Sequence, residues 1–355
     1  MNTAVLSSAE EIGKFQKEKK RIDSLDGLRA FSILFVILGH LLGTNHYPEN
    51  YFTKLFEPLA PFGVKVFFTI SGFLITTLLL RERDKTGSNN LLAFYRRRAY
   101  RIFPAAIVYT TLVVILWTAT GHPYPHKFII AAYTYTMNYM SKQPWQLRHL
   151  WSLGVEEQFY LVWPLVLVLF FRARKWICWA IMIIAPISRH LGMVHATLPA
   201  VADALAPGCL LAFYGDSRLP EWMYSLPVTI GASGTAIALG FIMPQRNTIY
   251  RGITPLFIAL SIHILIVRKD WLLNNRVIMY VGTLSYALYL CQQGFLNAGS
   301  HRWYATFPEN VSLAIMAALL MHYLIERPML AKREHRTVPS KSGSTESALE
   351  STSLA

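Results

Sequence analysis

The stretch "DGLRAFSILFVILGH", residues 26–40, decides the fold. Arg29 opens an apolar run, His40 closes it, and ten apolar or small residues lie between them. On a helix, eleven steps of about 100° make three turns plus roughly 20°, so Arg29 and His40 share a face about 16 Å apart along the axis. Apolar runs of this kind recur along the chain. Its 355 residues are 53% hydrophobic and 15% charged, and its mean hydropathy is +0.33. That balance excludes a soluble domain of this length. Runs near twenty residues predict membrane-spanning helices. Strict alternation is lacking, so the bundle is helical and not a barrel.

The expected fold is an all-α integral membrane protein. It is a polytopic helical bundle of about ten transmembrane helices plus a re-entrant or interfacial segment. The spans run near 27–46, 62–80, 102–120, 157–171, 176–193, 200–214, 226–243, 253–267, 277–297 and 309–325. Residues 127–141, "KFIIAAYTYTMNYMS", are apolar but short and Tyr-rich, which suits the re-entrant or interfacial segment. Residues 1–20 form a polar tail, 21–337 the membrane domain, and 338–355 a Ser-rich tail expected to be disordered. The first thirty residues lack the apolar core of a cleavable signal peptide. Cys178, Cys209 and Cys291 sit singly in apolar runs, so they read as buried structural thiols. Neither a disulfide framework nor a metal site is expected.

The net charge of +14 raises nucleic acid as a partner. The distribution of the charge argues against it. With ten spans both termini share a side, and that side, Arg29 included, holds 25 of the 34 Lys and Arg, leaving 9 for the other. The positive-inside rule then places both termini in the cytoplasm and accounts for most of the basicity. One stretch is denser: "FYRRRAYRIFP" (94–104) carries Arg96, Arg97, Arg98 and Arg101 just before a span. Guanidinium forks suit phosphate oxygens, so the stretch fits either anionic lipid headgroups or a soluble polyanionic ligand.

Ionisable residues inside the spans mark candidate sites. An imidazole half a bilayer deep is costly and normally faces the bundle interior or a wet cavity. His40 is therefore either a hydrogen-bonded structural group or a chemical one. A second constellation, "LRHLWSLGVEEQFYLVWP" (147–164), holds His149, Glu156 and Glu157 at the mouth of a span, on the side opposite the Arg cluster. Two adjacent carboxylates there fit a helix N-terminus, where acidic side chains favour the macrodipole, or a site. Trp151, Phe159, Tyr160 and Trp163 also fit an interfacial belt. Asp203, His263, Tyr286, Gln292 and Gln293 are further polar residues within spans.

Taken in order, these blocks resemble the bacterial integral-membrane acyltransferase 3 family, whose members O-acylate cell-surface and secreted carbohydrates. "DGLRAFSILFVILGH", "FGVKVFFTISGFLI" (62–75), "RRRAYRIFP" and "HLWSLGVEEQFYLVWP" carry the resemblance. "ADALAPGCLLAF" (202–213), "LSYALYL" (284–290) and "IERP" (325–328) are weaker blocks, and the likeness covers about residues 21–337. Two positions depart from it. Gln292 stands where relatives often have a His, and Lys65 where many have an acidic residue. An extracytoplasmic hydrolase-like domain, carried by some relatives after the last span, is not expected within this chain.

The resemblance implies an acyl-CoA donor, with acetyl the usual group, and no permanently bound cofactor. Arg96, Arg97, Arg98 and Arg101 would meet the coenzyme's phosphates. The thioester arm would pass Arg29 toward His40, as general base or transient acyl carrier. Glu156 or Glu157, with His149, would orient the acceptor hydroxyl or His40. The expected partners are acyl-CoA, a carbohydrate or glycolipid acceptor and membrane lipids, with homo-oligomerisation open. The expected location is the bacterial cytoplasmic (inner) membrane. The competing reading is a proton-coupled transporter of a small solute. It lacks repeated halves and paired Gly/Pro-broken helices. A third reading is a non-catalytic sensor or scaffold.

Overall fold

The computed structural model describes residues 23–191, 198–215, 219–242 and 248–335. Both polar tails lie outside the described residues. A helix lies at each predicted span: α1 (Asp23–Leu41), α2 (Leu59–Thr86), α3 (Leu91–Ala119), α4 (Leu150–Leu169), α5 (Arg174–His190), α6 (Ala206–Tyr214), α7 (Leu226–Ile242), α8 (Thr248–Arg268), α9 (Arg276–Phe295) and α10 (Glu309–Met321). A π-helical turn, His322–Glu326, joins α10 to α11 (Arg327–His335). The described residues form no sheet; Asn45 and Thr306 make an isolated bridge.

Five segments are long and apolar enough to cross a membrane: Ser24–Leu41, Tyr51–Thr86, Leu91–Ala119, Trp145–Leu169 and Glu309–Lys332. Ala202–Tyr214, Leu226–Gly240 and Gly252–Arg268 are apolar but shorter. Length and composition therefore establish a membrane-type helical bundle and do not by themselves establish ten spans. Outward faces carry large apolar side chains, such as Ile107 and Leu116 on α3 and Ile183 and Ile187 on α5. Water would penalise such a surface and hydrocarbon would not.

Small residues bring the central helices together, because lipid offers no hydrophobic drive for helix association. α1 packs between α2 and α9. A Cβ at Gly282 of α9 would sit 1.8 Å from the Asp26 carbonyl oxygen of α1. α2 crosses α6 as closely: a Cβ at Gly72 would lie 2.1 Å from the Leu205 carbonyl oxygen. Thr69 donates to the Ala204 carbonyl at the same crossing, at 2.9 Å. Ile33 and Val36 of α1, Phe68 and Ile75 of α2, and Val155 and Leu167 of α4 fill the core between them.

Two expectations change. The span drawn at 157–171 begins at Leu150, so Glu156 and Glu157 lie in the second turn and none of the first-turn residues is acidic. The helix N-terminus does not account for them. The span drawn at 200–214 breaks into a 3₁₀ turn, Ala202–Ala204, and α6, which starts at Ala206 with Pro207 in its first turn. α6 has nine residues, so it is only about 13 Å long. Asp203, in the turn, forms a two-pronged ion pair with Arg189 of α5, at 2.9 and 2.5 Å. Residues 127–141 fold as an eight-residue helix, His126–Tyr133, and a 3₁₀ turn, Met137–Tyr139. The helix is too short to cross a bilayer. Gln158 of α4 ties the segment down, donating to the Tyr135 carbonyl and to Asn138, both at 3.0 Å. The three cysteines are free and buried.

Candidate active site

Arg29 lies in the second turn of α1, toward its first end, His40 lies in its last turn, and both face α9. At the first end, Arg29 meets Arg98 and Arg101 of α3 and Glu156 of α4 around a cavity of about 90 Å³. That is well above what one water needs. Helical spacing explains the pair from α3, since residues three apart share a face. Hydroxyls of Ser71, Tyr160, Ser152 and Tyr289 also line the cavity.

Glu156 is held by hydroxyls. Ser71 donates to its Oε1 at 2.7 Å, and Tyr160 donates to Ser71 at 3.1 Å. Tyr160 lies one turn beyond Glu156 on α4, and the Arg98 guanidinium stands over its ring, 5.6 Å from the centroid. Arg29 pairs with Asp26 at 3.6 Å and interacts electrostatically with Arg101 and Glu156. Three guanidiniums thus surround a space lined by one carboxylate. Such a cavity favours an anionic or strongly polarised guest.

A hydroxyl path leads from the cavity toward the other end. Ser152 and Tyr289 share a hydrogen bond at 2.5 Å, and Tyr289 also donates to the His149 carbonyl at 3.2 Å. The His149 ring is buried between Tyr109 and Tyr289, with centroids 5.2 and 5.5 Å away. Neither of its nitrogens has a hydrogen-bond partner of ordinary geometry among the described residues. His40 lies beyond, with its ring edge against Trp145 at 5.8 Å. Its Nδ1 is 3.0 Å from Gln292 Oε1.

The predicted residues therefore divide. Arg29, Arg98, Arg101 and Glu156 converge on the cavity, so Glu156 meets the arginine cluster and does not lie opposite it, because α4 begins at Leu150 and carries Glu156 inward. His40 and His149 sit outside its lining, toward the far end of α1 and the start of α4. Glu157 points elsewhere, with Oε1 buried and unpartnered among the described residues. Arg97 pairs with Glu82 at 3.3 Å, and Arg96 is exposed. Sequence reasoning missed Ser71 as the partner of Glu156 and assigned Tyr160 only to an aromatic belt. The i, i+4 spacing of Glu156 and Tyr160 was the available signal. It also missed His322 and Glu326, paired at 2.7 Å in the π-helical turn.

Comparisons with known proteins give this geometry a family. A family model described as an acyltransferase domain matches residues 22–325. The O-acetyltransferase OatA of Staphylococcus aureus (strain NCTC 8325 / PS 47) is 30% identical over 91% of this chain and 60% of its own length. A protein of Staphylococcus aureus (strain COL), provisionally named O-acetyltransferase SACOL0978, is 31% identical over 88% of this chain and 58% of its own length. The chain thus spans about three fifths of these relatives. No solved structure matches it. With its first-helix Arg and His, its arginine pair and its α4 glutamates all inside the matched region, the chain belongs to the acyltransferase 3 family.

Proposed function

We propose that this protein is a membrane O-acyltransferase that moves an acetyl group from cytoplasmic acyl-CoA to a hydroxyl of a carbohydrate or glycolipid at or beyond the outer face. The observation that carries the reading is the pairing of two sites on one helix. A cavity with three guanidiniums lies at one end of α1, and a hydrogen-bonded imidazole lies at the other. The names of the relatives, both O-acetyltransferases, agree with it. In this reading ten segments cross the bacterial cytoplasmic membrane, α6 doing so together with the short turns before it, Leu198–Val201 and Ala202–Ala204, and both termini lie in the cytoplasm.

Acyl transfer needs a base for the acceptor's proton and positive charge for the tetrahedral oxyanion. Arg96 and Arg97, outside the cavity, stand where the coenzyme's phosphates would approach. Arg98 and Arg101 hold the inner end of the donor, with Arg29 leading the thioester onward. Glu156, fixed by Ser71, orients Arg29 and Arg98. His40 takes the hydroxyl proton, and His149 shapes the wall beside it. Purified protein in lipid nanodiscs, given labelled acetyl-CoA and glycan acceptors, tests the reading. Label in the glycan supports it. Solute flux in liposomes without coenzyme, and no label transfer, would replace it with the transporter.

A further inference from the structure

We infer that Gln292, through an oriented chain of amides, holds His40 in the tautomer with its proton on Nδ1 and its lone pair on Nε2. The inference rests on the proposal that His40 is the base, and it names the residue that positions it. Gln292 stands where, by the family resemblance, relatives often have a His.

The direction of the chain follows from its anchor. Gln293 Nε2 lies 3.1 Å from the backbone carbonyl of Trp145. A carbonyl can only accept, so the Gln293 amide must turn its NH₂ that way and its oxygen the other. That oxygen lies 3.1 Å from Gln292 Nε2, which must donate to it. The Gln292 oxygen is then left facing His40 Nδ1 at 3.0 Å. An oxygen needs a donor there, so Nδ1 carries the hydrogen. Gln292 is 0% and Gln293 1% exposed. Water cannot readily substitute for a link, and reversing either amide would set donor against donor or acceptor against acceptor.

The consequence is chemical. A neutral imidazole has one protonated and one bare nitrogen, and a hydrogen bond at one selects the role of the other. With Nδ1–H held by Gln292, Nε2 accepts the proton of the acceptor hydroxyl as that oxygen attacks the thioester carbon. The tetrahedral intermediate then expels the coenzyme thiolate, which takes the same proton back from Nε2. Gln292 touches neither substrate, so it is a positioning residue.

The experiment uses full-length protein labelled with ¹⁵N-histidine in lipid. The His40 signals are identified by their loss in His40→Gln. At a pH where the ring is neutral, the expected spectrum has a protonated Nδ1 and a bare Nε2. Gln292→Met keeps the length and removes the acceptor. It should move His40 toward the Nε2–H form and lower kcat about tenfold, the loss of roughly one hydrogen bond, with the KM for acetyl-CoA nearly unchanged. A wild-type His40 that is mainly Nε2–H, or an unchanged tautomer and kcat in Gln292→Met, would overturn the inference. Failure of the underlying reading looks different: His40→Gln would still transfer acetyl, whatever the tautomer.

Discussion

Arg189 and Asp203 close on each other with two hydrogen bonds, at 2.9 and 2.5 Å, and their side chains are 4% and 3% exposed. Arg29, Arg98 and Arg101 are not matched in that way. They share a cavity lined by a single carboxylate, and Glu156 spends its Oε1 on Ser71. Both regions bury guanidiniums in an apolar bundle, where unpaired charge is expensive. In the first, a planar fork meets a planar carboxylate one to one, and both Asp203 oxygens are taken up by Arg189. In the second, Asp26 stands 3.6 Å from Arg29 outside the cavity, and the three guanidiniums surround empty volume that a single carboxylate lines. The difference separates a charge cluster that holds helices together from one arranged to receive something.

Five substitutions test that separation. Asp203→Ala should have the largest effect, about 3–5 kcal/mol of stability, because it strands a buried guanidinium. Thermal melting in detergent and membrane yield report it, and specific activity of the folded fraction should hold. A stable Asp203→Ala protein without activity would place the pair in the site instead. His40→Ala should behave oppositely, with melting nearly unchanged and acetyl transfer at least 10²-fold slower. Activity within about tenfold of wild type would remove His40 as the base.

Arg98→Ala and Arg101→Ala come next. Each should weaken acetyl-CoA binding about ten- to a hundredfold, the loss of a charge-assisted contact of roughly 1.5–3 kcal/mol. Added salt should weaken the wild type more than the variants. If calorimetry finds equal affinity in all three, the cluster serves topology or lipid and not the donor. Ser71→Ala is the mildest test. It leaves Glu156 and Tyr160 without their shared hydroxyl, at a cost of about 0.5–1.5 kcal/mol. A several-fold fall in kcat with stability little changed would assign Glu156 to the chemistry, whereas a change in melting alone would make it structural.

The run from Arg29 to His40 contained most of what could be read directly. Its length and apolarity predict a membrane helix, its spacing puts both ends on one face, and α1 presents both to α9. The arginines of 96–101 and the glutamates at 156 and 157 were equally visible as unusual residues in apolar surroundings. Local periodicity could not say which of them meet. Arg97 and Arg98 are adjacent in the chain, yet one pairs with Glu82 and the other enters the cavity, because neighbours on a helix point about 100° apart. Glu156 and Glu157 part in the same way.

The sequence by itself determined that the chain is a helical membrane protein, which helices carry charge, and which family it belongs to. These are properties of composition and of local order along one strand of chain. Only the tertiary structure decided that Asp203 is spent on Arg189, that Ser71 serves Glu156, and that Gln292 reaches His40 across 252 residues of chain. Hydrogen bonds between helices depend on crossing geometry, set here by the close approach at Gly282 and Gly72. No single helix contains that geometry, because it exists only where two of them touch.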